Sequence, residues 1–420
     1  MKKQKQRNIR PTRTLLTCAL ASCLMLGVAP AVFAQSTAAT IRGQVSADSA
    51  PAADATVTAT NVATGLTRSV KAGAGGGYSL GGLPPGVYRI DVTSGGQSSS
   101  QNVTVAVGQT ATLNLVVGVV SAPTGDATTL DTVTVTAPML METRTSEIAT
   151  YVSQRQIDAL PQASRNFLAF ADTVPGMIFE TSADGSAKLR GGAQSSNGIN
   201  VFIDGVGQKN YVLRGGVSGQ DSSSGNPFPQ LAIGEYKVIT SNYKAEYDQI
   251  SSAAITAVTK SGTNEFHGAF FWDRTGDDWR KPTYDEEVRS GGNKTPSSEE
   301  QYGIALGGPI LQDRLHFFVT YEAKEIDRPR NVRVGDSAFD VTDLTPEFAS
   351  LLGNTTAPFK QDAYFGKLSF QLDDSNLIEL SAKYRDETEI TGVGDGPNTV
   401  SYGTAKGNDS TRIDLRWQWS

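Results

Sequence analysis

The stretch that decides the fold class is Tyr364-Phe365-Gly366-Lys367-Leu368-Ser369-Phe370-Gln371-Leu372. Every second residue from Tyr364 onward is apolar or glycine, and Phe365, Lys367, Ser369 and Gln371 stand between them. Because successive side chains of a β-strand point to opposite faces, this pattern predicts a strand with one apolar and one polar face. Such a strand fits the wall of a membrane β-barrel, which meets lipid outside and encloses a polar lumen.

The same period of two recurs on both sides of this stretch. Six strand-like runs can be drawn, near residues 266–273, 300–308, 314–323, 363–372, 377–385 and 410–419. The gaps between them are alternately long and short, with short turns at 309–313 and 373–376. Outer-membrane barrels have long loops on one side and short turns on the other, whereas a soluble sheet has no reason to sort its connections in this way.

Six strands are too few for a barrel that encloses a folded domain. About eight strands leave room for side chains alone, and plugged transporters use about 22. An open sheet in lipid would also leave rows of unpaired backbone groups. We therefore predict that residues 263–420 form the first six strands or so of a truncated transmembrane antiparallel β-barrel, whose remaining strands follow Ser420.

Residues 139–262 carry an ordered set of short motifs. They are Leu160-Pro161, Val174-Pro175-Gly176, Leu189-Arg190-Gly191-Gly192, Val201-Phe202-Ile203-Asp204-Gly205, Ile233-Gly234-Glu235-Tyr236-Lys237-Val238-Ile239, Ala245-Glu246-Tyr247 and Val258-Thr259-Lys260-Ser261-Gly262-Thr263-Asn264. In this order they resemble the plug of TonB-dependent receptors, most closely the Oar-like group. The resemblance implies a mixed α/β plug domain. Residues 148–160 are expected to be helical and to end at Leu160-Pro161.

Six residues match the plug motifs of the family: Arg190, Gly191, Asp204, Gly205, Glu246 and Tyr247. The glycines are expected to permit positive φ or a close backbone approach. Two interpretations of the charged residues stay open. Arg190, Asp204, Glu235, Lys237 and Glu246 form a polar face against the barrel wall, or they are solvated loop charges. One departure concerns the segment after Tyr247, because Asp248-Gln249-Ile250-Ser251-Ser252-Ala253 replaces the usual glycine-rich turn.

Residues 119–138 read as a linker. A connector rich in Gly, Ala, Thr and Pro, typical of a flexible tether, leads to Leu130-Asp131-Thr132-Val133-Thr134-Val135. This short β-branched segment can add as a strand to another protein's sheet, and it resembles the TonB box that engages TonB, the inner-membrane energy transducer. The alternative is an ordinary edge strand of the preceding domain; the position directly before the plug favours the box.

Residues 38–118 predict a small β-sandwich of seven short strands separated by Gly, Pro, Ser and Asn. The motifs around Gly43, Ala55, Gly77-Tyr78 and Leu83-Pro84-Pro85-Gly86-Val87-Tyr88 resemble a carboxypeptidase regulatory-like domain, of transthyretin-like or carbohydrate-binding-like fold. Tyr78 and Tyr88 are expected to anchor its interior. These residues build a fold and perform no chemistry.

Residues 1–34 predict a signal peptide for the Sec pathway. Six basic residues precede an apolar run from Leu15 to Gly27, and Val32-Phe33-Ala34 offers a processing site. Leu20-Ala21-Ser22-Cys23 also resembles a lipobox, but apolar residues continue to Phe33 where a lipoprotein turns polar.

Cleavage after Ala34 would remove both cysteines, Cys18 and Cys23, and change the net charge from −6 to −12. An exported chain of that charge is a poor nucleic-acid binder. Further along, the sequence has no stretch of about 18 apolar residues, so any membrane crossing must use strands.

The sequence predicts no catalytic residues, no metal ligands and no cofactor. A zinc peptidase needs two histidines and a carboxylate in a local motif, and the two histidines, His267 and His316, lie in alternating runs where strand residues facing a wet lumen are expected. A Ser-His-Asp triad meets the same obstacle, because it too would need one of these two histidines.

The resemblance implies a receptor in the outer membrane that binds a scarce substrate at the cell surface and imports it with energy from TonB. The implied partners are TonB, outer-membrane lipid and an unknown small molecule, glycan or peptide, with the sandwich and the box on the periplasmic side. Two other functions remain open: an outer-membrane adhesion or surface-display protein without transport, and a secreted carbohydrate-binding module.

Overall fold

The computed structural model of the chain is mainly β, as predicted. It describes residues 37–47, 50–117, 145–162, 164–182, 185–210, 212, 215–218, 220–289, 291–335, 344–394 and 396–419. The predicted signal peptide, linker and TonB box lie outside the described residues. Among those residues, no helix has the length and apolar character needed to cross a membrane.

The N-terminal strands form a sandwich of two sheets. Its strands are β1 Ala39–Ala47, β2 Ala50–Pro51, β3 Thr56–Asn61, β4 Thr67–Lys71, β5 Gly77–Leu83, β6 Gly86–Ser94, β7 Gln97–Val105, β8 Thr110–Thr112 and β9 Leu115–Val117. One sheet is built on β1, which pairs with β2, β5, β8 and β9, and the other runs β4-β3-β6-β7. The predicted last strand is divided in two, since β8 and β9 pair separately with β1.

Tyr78 and Tyr88 lie in the interior of the sandwich, as expected. Their rings are buried, and burial raises the pKa of both phenols above the usual range. The Tyr78 hydroxyl donates to the Leu113 carbonyl at 2.7 Å and the Tyr88 hydroxyl to the Pro84 carbonyl at 2.8 Å. Both aromatic residues therefore fill the core without leaving a buried donor unsatisfied.

We call residues 145–262 the inner domain. Its strands are β10 Ile148–Val152, β11 Met177–Thr181, β12 Ala187–Gly191, β13 Ile199–Ile203, β14 Val206–Gly207, β15 Ile233–Ser241 and β16 Ala253–Thr259, with helix α1 at Gln154–Ala159. The main sheet has the order β10-β15-β16-β13-β14, and β11 and β12 form a separate hairpin. The largest fully buried side chains of this domain include Tyr236, Phe167 and Ile199.

The expected helix over residues 148–160 is wrong in its first half. Residues 148–152 form β10 and pair with β15, where the β-branched residues Thr150 and Val152 are favoured. Helix α1 begins only after Ser153, whose side chain and that of Gln156 form a reciprocal capping box. The helix ends at Ala159 with Leu160 extended before Pro161, as the sequence predicts.

We call the remaining six strands the wall sheet. They are β17 His267–Gly276, β18 Ser298–Leu311, β19 Leu315–Val332, β20 Gly353–Asp373, β21 Asn376–Thr391 and β22 Thr404–Trp419, and the loops hold α2 Tyr284–Arg289 and α3 Pro346–Ala349. The strands pair antiparallel in chain order. The six predicted strands are confirmed, although all six are longer than predicted, and the connections alternate long and short.

The wall sheet has two chemically different faces. Its outer face exposes large apolar side chains: Phe270, Trp272, Ile304, Leu306, Val319, Tyr364, Leu368, Leu380, Tyr384, Ile413, Leu415 and Trp417. Its inner face packs against the inner domain, and Ala305, Phe318 and Phe365 join that domain's hydrophobic core. The period of two in the sequence thus separates an exposed apolar face from a covered one.

The sandwich contacts the end of the wall sheet that carries the short turns. The Asn264 backbone N–H donates to the Ala63 carbonyl at 2.9 Å, and the Arg416 guanidinium donates to Thr37 Oγ1 at 2.7 Å. Arg68 donates to the Asp374 carbonyl in the turn after β20, and Leu377 packs with the sandwich core. Sandwich and short turns therefore share one end of the molecule.

Candidate functional site

The candidate site is the contact between the inner domain and the inner face of the wall sheet. This face carries charged side chains that are almost fully buried: Glu322, Lys324, Lys367, Glu379, Lys383, Arg385 and Glu387. Buried charges are costly unless they are paired and hydrogen-bonded, so their partners determine what holds the two parts together.

One connection runs through the turn between β13 and β14. Asp204 and Gly205 both have positive φ, 50° and 84°, as a two-residue type I′ hairpin requires. In this conformation the Asp204 carboxylate accepts from the Thr259 N–H at 2.9 Å and lies 3.5 Å from Lys367 Nζ of β20. Lys367 Nζ also lies 2.9 Å from Glu379 Oε1. A glycine-dependent turn thus presents a carboxylate to a buried lysine of the wall.

A second connection uses the loop before β15, where wall side chains bond to backbone groups of the inner domain. The Gln361 side chain accepts from the Asn226 N–H and donates to its carbonyl, both at 2.9 Å. Lys383 Nζ donates to the Pro227 carbonyl at 2.8 Å. Glu322 Oε1 accepts from the Leu231 N–H at 2.6 Å. The loop lacks the regular backbone pairing of a sheet here, and the wall supplies the missing partners.

An apolar contact lies among these polar ones. The rings of Phe228 and Phe365 are 5.2 Å apart between centroids, and Phe318 lies 6.5 Å from Phe365. Lys383 Nζ stands 5.2 Å from the centre of the Phe228 ring. The aromatic group fixes the position of the loop, while the surrounding contacts are hydrogen bonds and ion pairs.

A polar cavity of about 470 Å³ lies between the inner domain and strands β17 and β18. Its lining includes Arg165, Gln230, Asp273, Glu299 and Gln301. Among the described residues, Arg165 Nε and Gln230 Oε1 are buried without a hydrogen-bond partner. The cavity therefore has room for a polar solute or water, and it offers both a donor and an acceptor.

The six sequence-predicted plug residues do not form one cluster. Asp204 and Gly205 lie at the wall contact described above. Arg190 forms an ion pair with Glu180 within the β11–β12 hairpin, and Gly191 approaches Ser252 so closely that an added Cβ would lie 3.0 Å from its Oγ.

The remaining two, Glu246 and Tyr247, lie away from that contact. Glu246 lies 3.9 Å from Lys244, and Tyr247 packs edge-on against Phe202 with centroids 5.6 Å apart.

The sequence left open whether five charged residues form one polar face against the wall. In the structure these five residues have different partners. Asp204 faces the wall, as one interpretation expected. Glu235 accepts instead from the Val107 N–H of the sandwich, and burial raises its pKa to about 7 against the opposing effect of that N–H. Lys237 pairs with Glu147 inside the domain. Arg190 and Glu246 pair with neighbours in their own segments. The single polar face that the sequence suggested is therefore not present in the described residues.

The sequence analysis did not identify which residues pair in the most buried ion pairs. Lys367 was recognised as a lumenal residue, but its carboxylate partners Asp204 and Glu379 come from distant positions. The Glu147–Lys237 pair also joins residues 90 positions apart. A signal was present in Lys367 of β20 and in the charges that occupy most alternate positions of β21, because such charges require partners once the face is covered.

Both histidines lie at the wall strands. His316 is buried on the inner face, with Nε2 2.9 Å from Asn264 Oδ1, and His267 begins β17 as an exposed residue. Within the described ranges, His, Cys, Asp and Glu residues do not gather into a group of three that could hold a metal ion.

Two family profiles match the chain. The carboxypeptidase regulatory-like domain matches residues 40–118, and the outer membrane beta barrel domain matches residues 258–419. With the wall sheet, they define the class: the chain is an outer-membrane β-barrel protein that carries a regulatory-like sandwich.

A curated relative indicates which kind of outer-membrane protein the chain resembles. The TonB-dependent transporter Oar of Myxococcus xanthus is 26% identical over 381 residues, which cover 84% of this chain and 34% of that protein. The findings together support a TonB-dependent receptor of the Oar type. The chain thus spans about a third of the length of this curated relative.

One solved structure shows the same fold, and a second shows partial similarity only. The outer membrane transporter YddB of Escherichia coli superposes with a TM-score of 0.51 at 15% identity, covering 65% of this chain and 37% of that one. The ferric enterobactin receptor PfeA of Pseudomonas aeruginosa gives a TM-score of 0.44 at 16% identity, covering 65% of this chain and 39% of that one.

Proposed function

We propose that this chain belongs to a receptor that binds a substrate at the cell surface and imports it with energy delivered through TonB. In this proposal the inner domain is the plug and residues 130–135 are the TonB box. The sandwich and the box lie on the periplasmic side, and the partners are TonB, outer-membrane lipid and a small molecule, glycan or peptide.

The observation that carries the proposal is the chemistry of the contact between inner domain and wall. Hydrogen bonds and ion pairs predominate there, through Asp204, Asn226, Pro227 and Leu231 on the inner domain. Water can replace such partners, so each contributes only about 0.5–1.5 kcal/mol net where both groups are neutral and about 1.5–3 kcal/mol where one is charged. A domain held in this way can be displaced by a moderate pull and can return, which an importer requires and a permanent structural filling does not.

The cavity beside β17 and β18 supports transport of a polar solute. Its volume of about 470 Å³ falls within the range of about 300–1,000 Å³ that is usual for small-molecule sites. Oar and YddB are both described as transporters. We propose that this chain also serves transport and is not an enzyme.

The proposal is tested by blocking strand addition at the box. Val133→Pro combined with Val135→Pro removes two backbone donors, so the segment can no longer pair with a sheet edge of TonB. We expect binding of the purified TonB periplasmic domain to the full-length receptor to fall at least about tenfold, and growth on the imported nutrient to stop.

Val120→Pro is the matched control, because it places a proline in the same linker outside the box. We expect it to leave TonB binding and growth unchanged. Unchanged TonB binding by the double-proline variant would refute the assignment of the box. If the double-proline variant still adheres to surfaces and grows as well as the wild type, a surface-display protein would be favoured.

A further inference from the structure

Four side chains of alternating charge form a ladder in the inner domain. Lys237 Nζ lies 2.7 Å from Glu147 Oε2, Lys244 Nζ lies 3.9 Å from Glu147 Oε1, and Glu246 Oε1 lies 3.9 Å from Lys244 Nζ. The side chains of Lys237 and Glu147 are 2% and 0% exposed, whereas those of Lys244 and Glu246 are 49% and 40% exposed. We call this set the charge ladder, since it leads from the interior to the surface.

The ladder begins where a pull would first reach the domain. Glu147 directly precedes β10, which lies at the edge of the main sheet and pairs with β15 over five residues. Residues 119–138, with the predicted box, come shortly before Glu147 in the chain. Tension through that segment therefore acts on Glu147 and β10 before it acts on the domain behind them.

Stability alone does not account for the buried pair. Replacing a buried ion pair by apolar residues of similar volume is often neutral or stabilising, whereas removing one partner is strongly destabilising. Such an ion pair is stable as long as water is excluded from it. Once water reaches the separated charges, each charge regains its hydration, and this favours the open state. An apolar contact would gain no favourable hydration free energy when it opens.

Lys244, one of the two exposed members of the charge ladder, offers Glu147 an alternative partner closer to the surface. Among the described residues, Glu147 Oε1 is buried without a hydrogen-bond partner, while Lys244 stands 3.9 Å away and half-exposed. A small outward shift of Glu147 would exchange Lys237 for Lys244 and water. The alternating order of charges means that this shift meets an attractive partner at the surface.

We propose that the charge ladder is the release catch of the inner domain. Tension on residues 119–144 transfers Glu147 from Lys237 to Lys244, and this transfer frees β10 from β15. The inference rests on the proposed function in one respect, namely that the chain is pulled through this segment.

The test applies force directly to the full-length receptor in outer-membrane vesicles. A thiol handle at Ala137→Cys, between box and inner domain, is pulled with a force-measuring probe, and the rate of the first extension event is recorded. Glu147→Gln should raise that rate about 10- to 100-fold, since it removes one partner of a buried pair. Glu147→Met combined with Lys237→Met should lower it below the wild-type rate, because the apolar pair gains no hydration on opening.

Glu180→Gln is the matched control. It removes the carboxylate of the Arg190 ion pair in the β11–β12 hairpin, away from β10, and it should leave the rate unchanged. A wild-type rate in Glu147→Gln, or faster opening in the double-methionine variant, would overturn the proposal. If Glu147→Gln fails to fold, the direction of change in the double-methionine variant still decides.

The handle replaces TonB in this experiment, so the two proposals fail separately. If the proline variants of the box keep TonB binding while the catch variants shift the opening rate as expected, the assignment of the box fails and the catch stands. If the box variants lose TonB binding while the opening rates do not change, the catch fails and the receptor function stands.

Discussion

The two faces of the wall sheet satisfy their side chains in different ways. Outer-face residues such as Ile304, Leu368 and Leu415 are exposed and apolar, and we propose that lipid alone satisfies them. Inner-face residues such as Lys367 and Glu379 are buried and charged, and each depends on particular partners. The comparison teaches that a solvent specifies one face and a folded domain specifies the other, so substitutions on the two faces should fail for different reasons.

The largest effect is expected at Lys367. Lys367→Met leaves Asp204 without its cation and Glu379 with Arg416 alone, 3.4 Å away, which should lower the free energy of unfolding by about 3–5 kcal/mol. Equilibrium unfolding by urea in detergent micelles measures the loss. Lys360→Met in the same strand is the control, because the Lys360–Glu325 pair is exposed and should contribute at most about 1 kcal/mol. Equal losses in both variants would contradict the account.

A charge on the outer face should cost somewhat less. Leu368→Arg places a cation toward lipid, and the expected cost is about 2–4 kcal/mol near the middle of the bilayer. Unfolding from lipid vesicles measures it, and the same variant in soluble detergent should show a smaller loss. Leu368→Phe keeps the side chain apolar and should be close to neutral. Tolerance of arginine in vesicles would show that this face does not meet lipid.

Glu235 tests a partly buried carboxylate whose described contact is a backbone donor. Its pKa is raised from the ordinary 4.5 to about 7, so the folded state binds the extra proton. The contribution of Glu235 to stability is therefore greatest below about pH 4.5 and declines as the pH rises toward about 7. Urea midpoints over this range should fall with pH and should flatten in Glu235→Gln. A control, Glu246→Gln, should keep the slope; a slope that persists in Glu235→Gln would refute the prediction.

The smallest effect is expected at Gln249. The usual glycine-rich turn is absent from this segment, yet Gln249 adopts a positive φ of 54°. Left-handed backbone costs a non-glycine residue about 1–2 kcal/mol, and glycine loses about 0.5–1 kcal/mol of that gain through its greater entropy when unfolded. Gln249→Gly should thus stabilise by up to about 1 kcal/mol in thermal unfolding, whereas Gln249→Ala should be neutral or destabilising.

The outer face and the strand order were predictable because each follows from local pattern. Alternation around Leu368 fixes the strand, and the short turns fix its neighbours. The partners on the inner face were not predictable, because Lys367 meets Asp204 only after both strands and the inner domain have folded. Residues 148–152 show the same limit, since pairing with β15 overrides a pattern that reads as helix. The Asp204-Gly205 turn is predictable in part. The dipeptide predicts the conformation of the backbone, but it does not predict which lysine the Asp204 carboxylate faces.

The most direct test of a releasable polar contact between inner domain and wall is a double-mutant cycle on Asp204→Asn and Lys367→Met. The account predicts that the two losses in unfolding free energy are not additive and that their coupling energy is at least about 1 kcal/mol, as for contacting charged groups. Additivity within about 0.3–0.5 kcal/mol, the behaviour of independent sites, would contradict it.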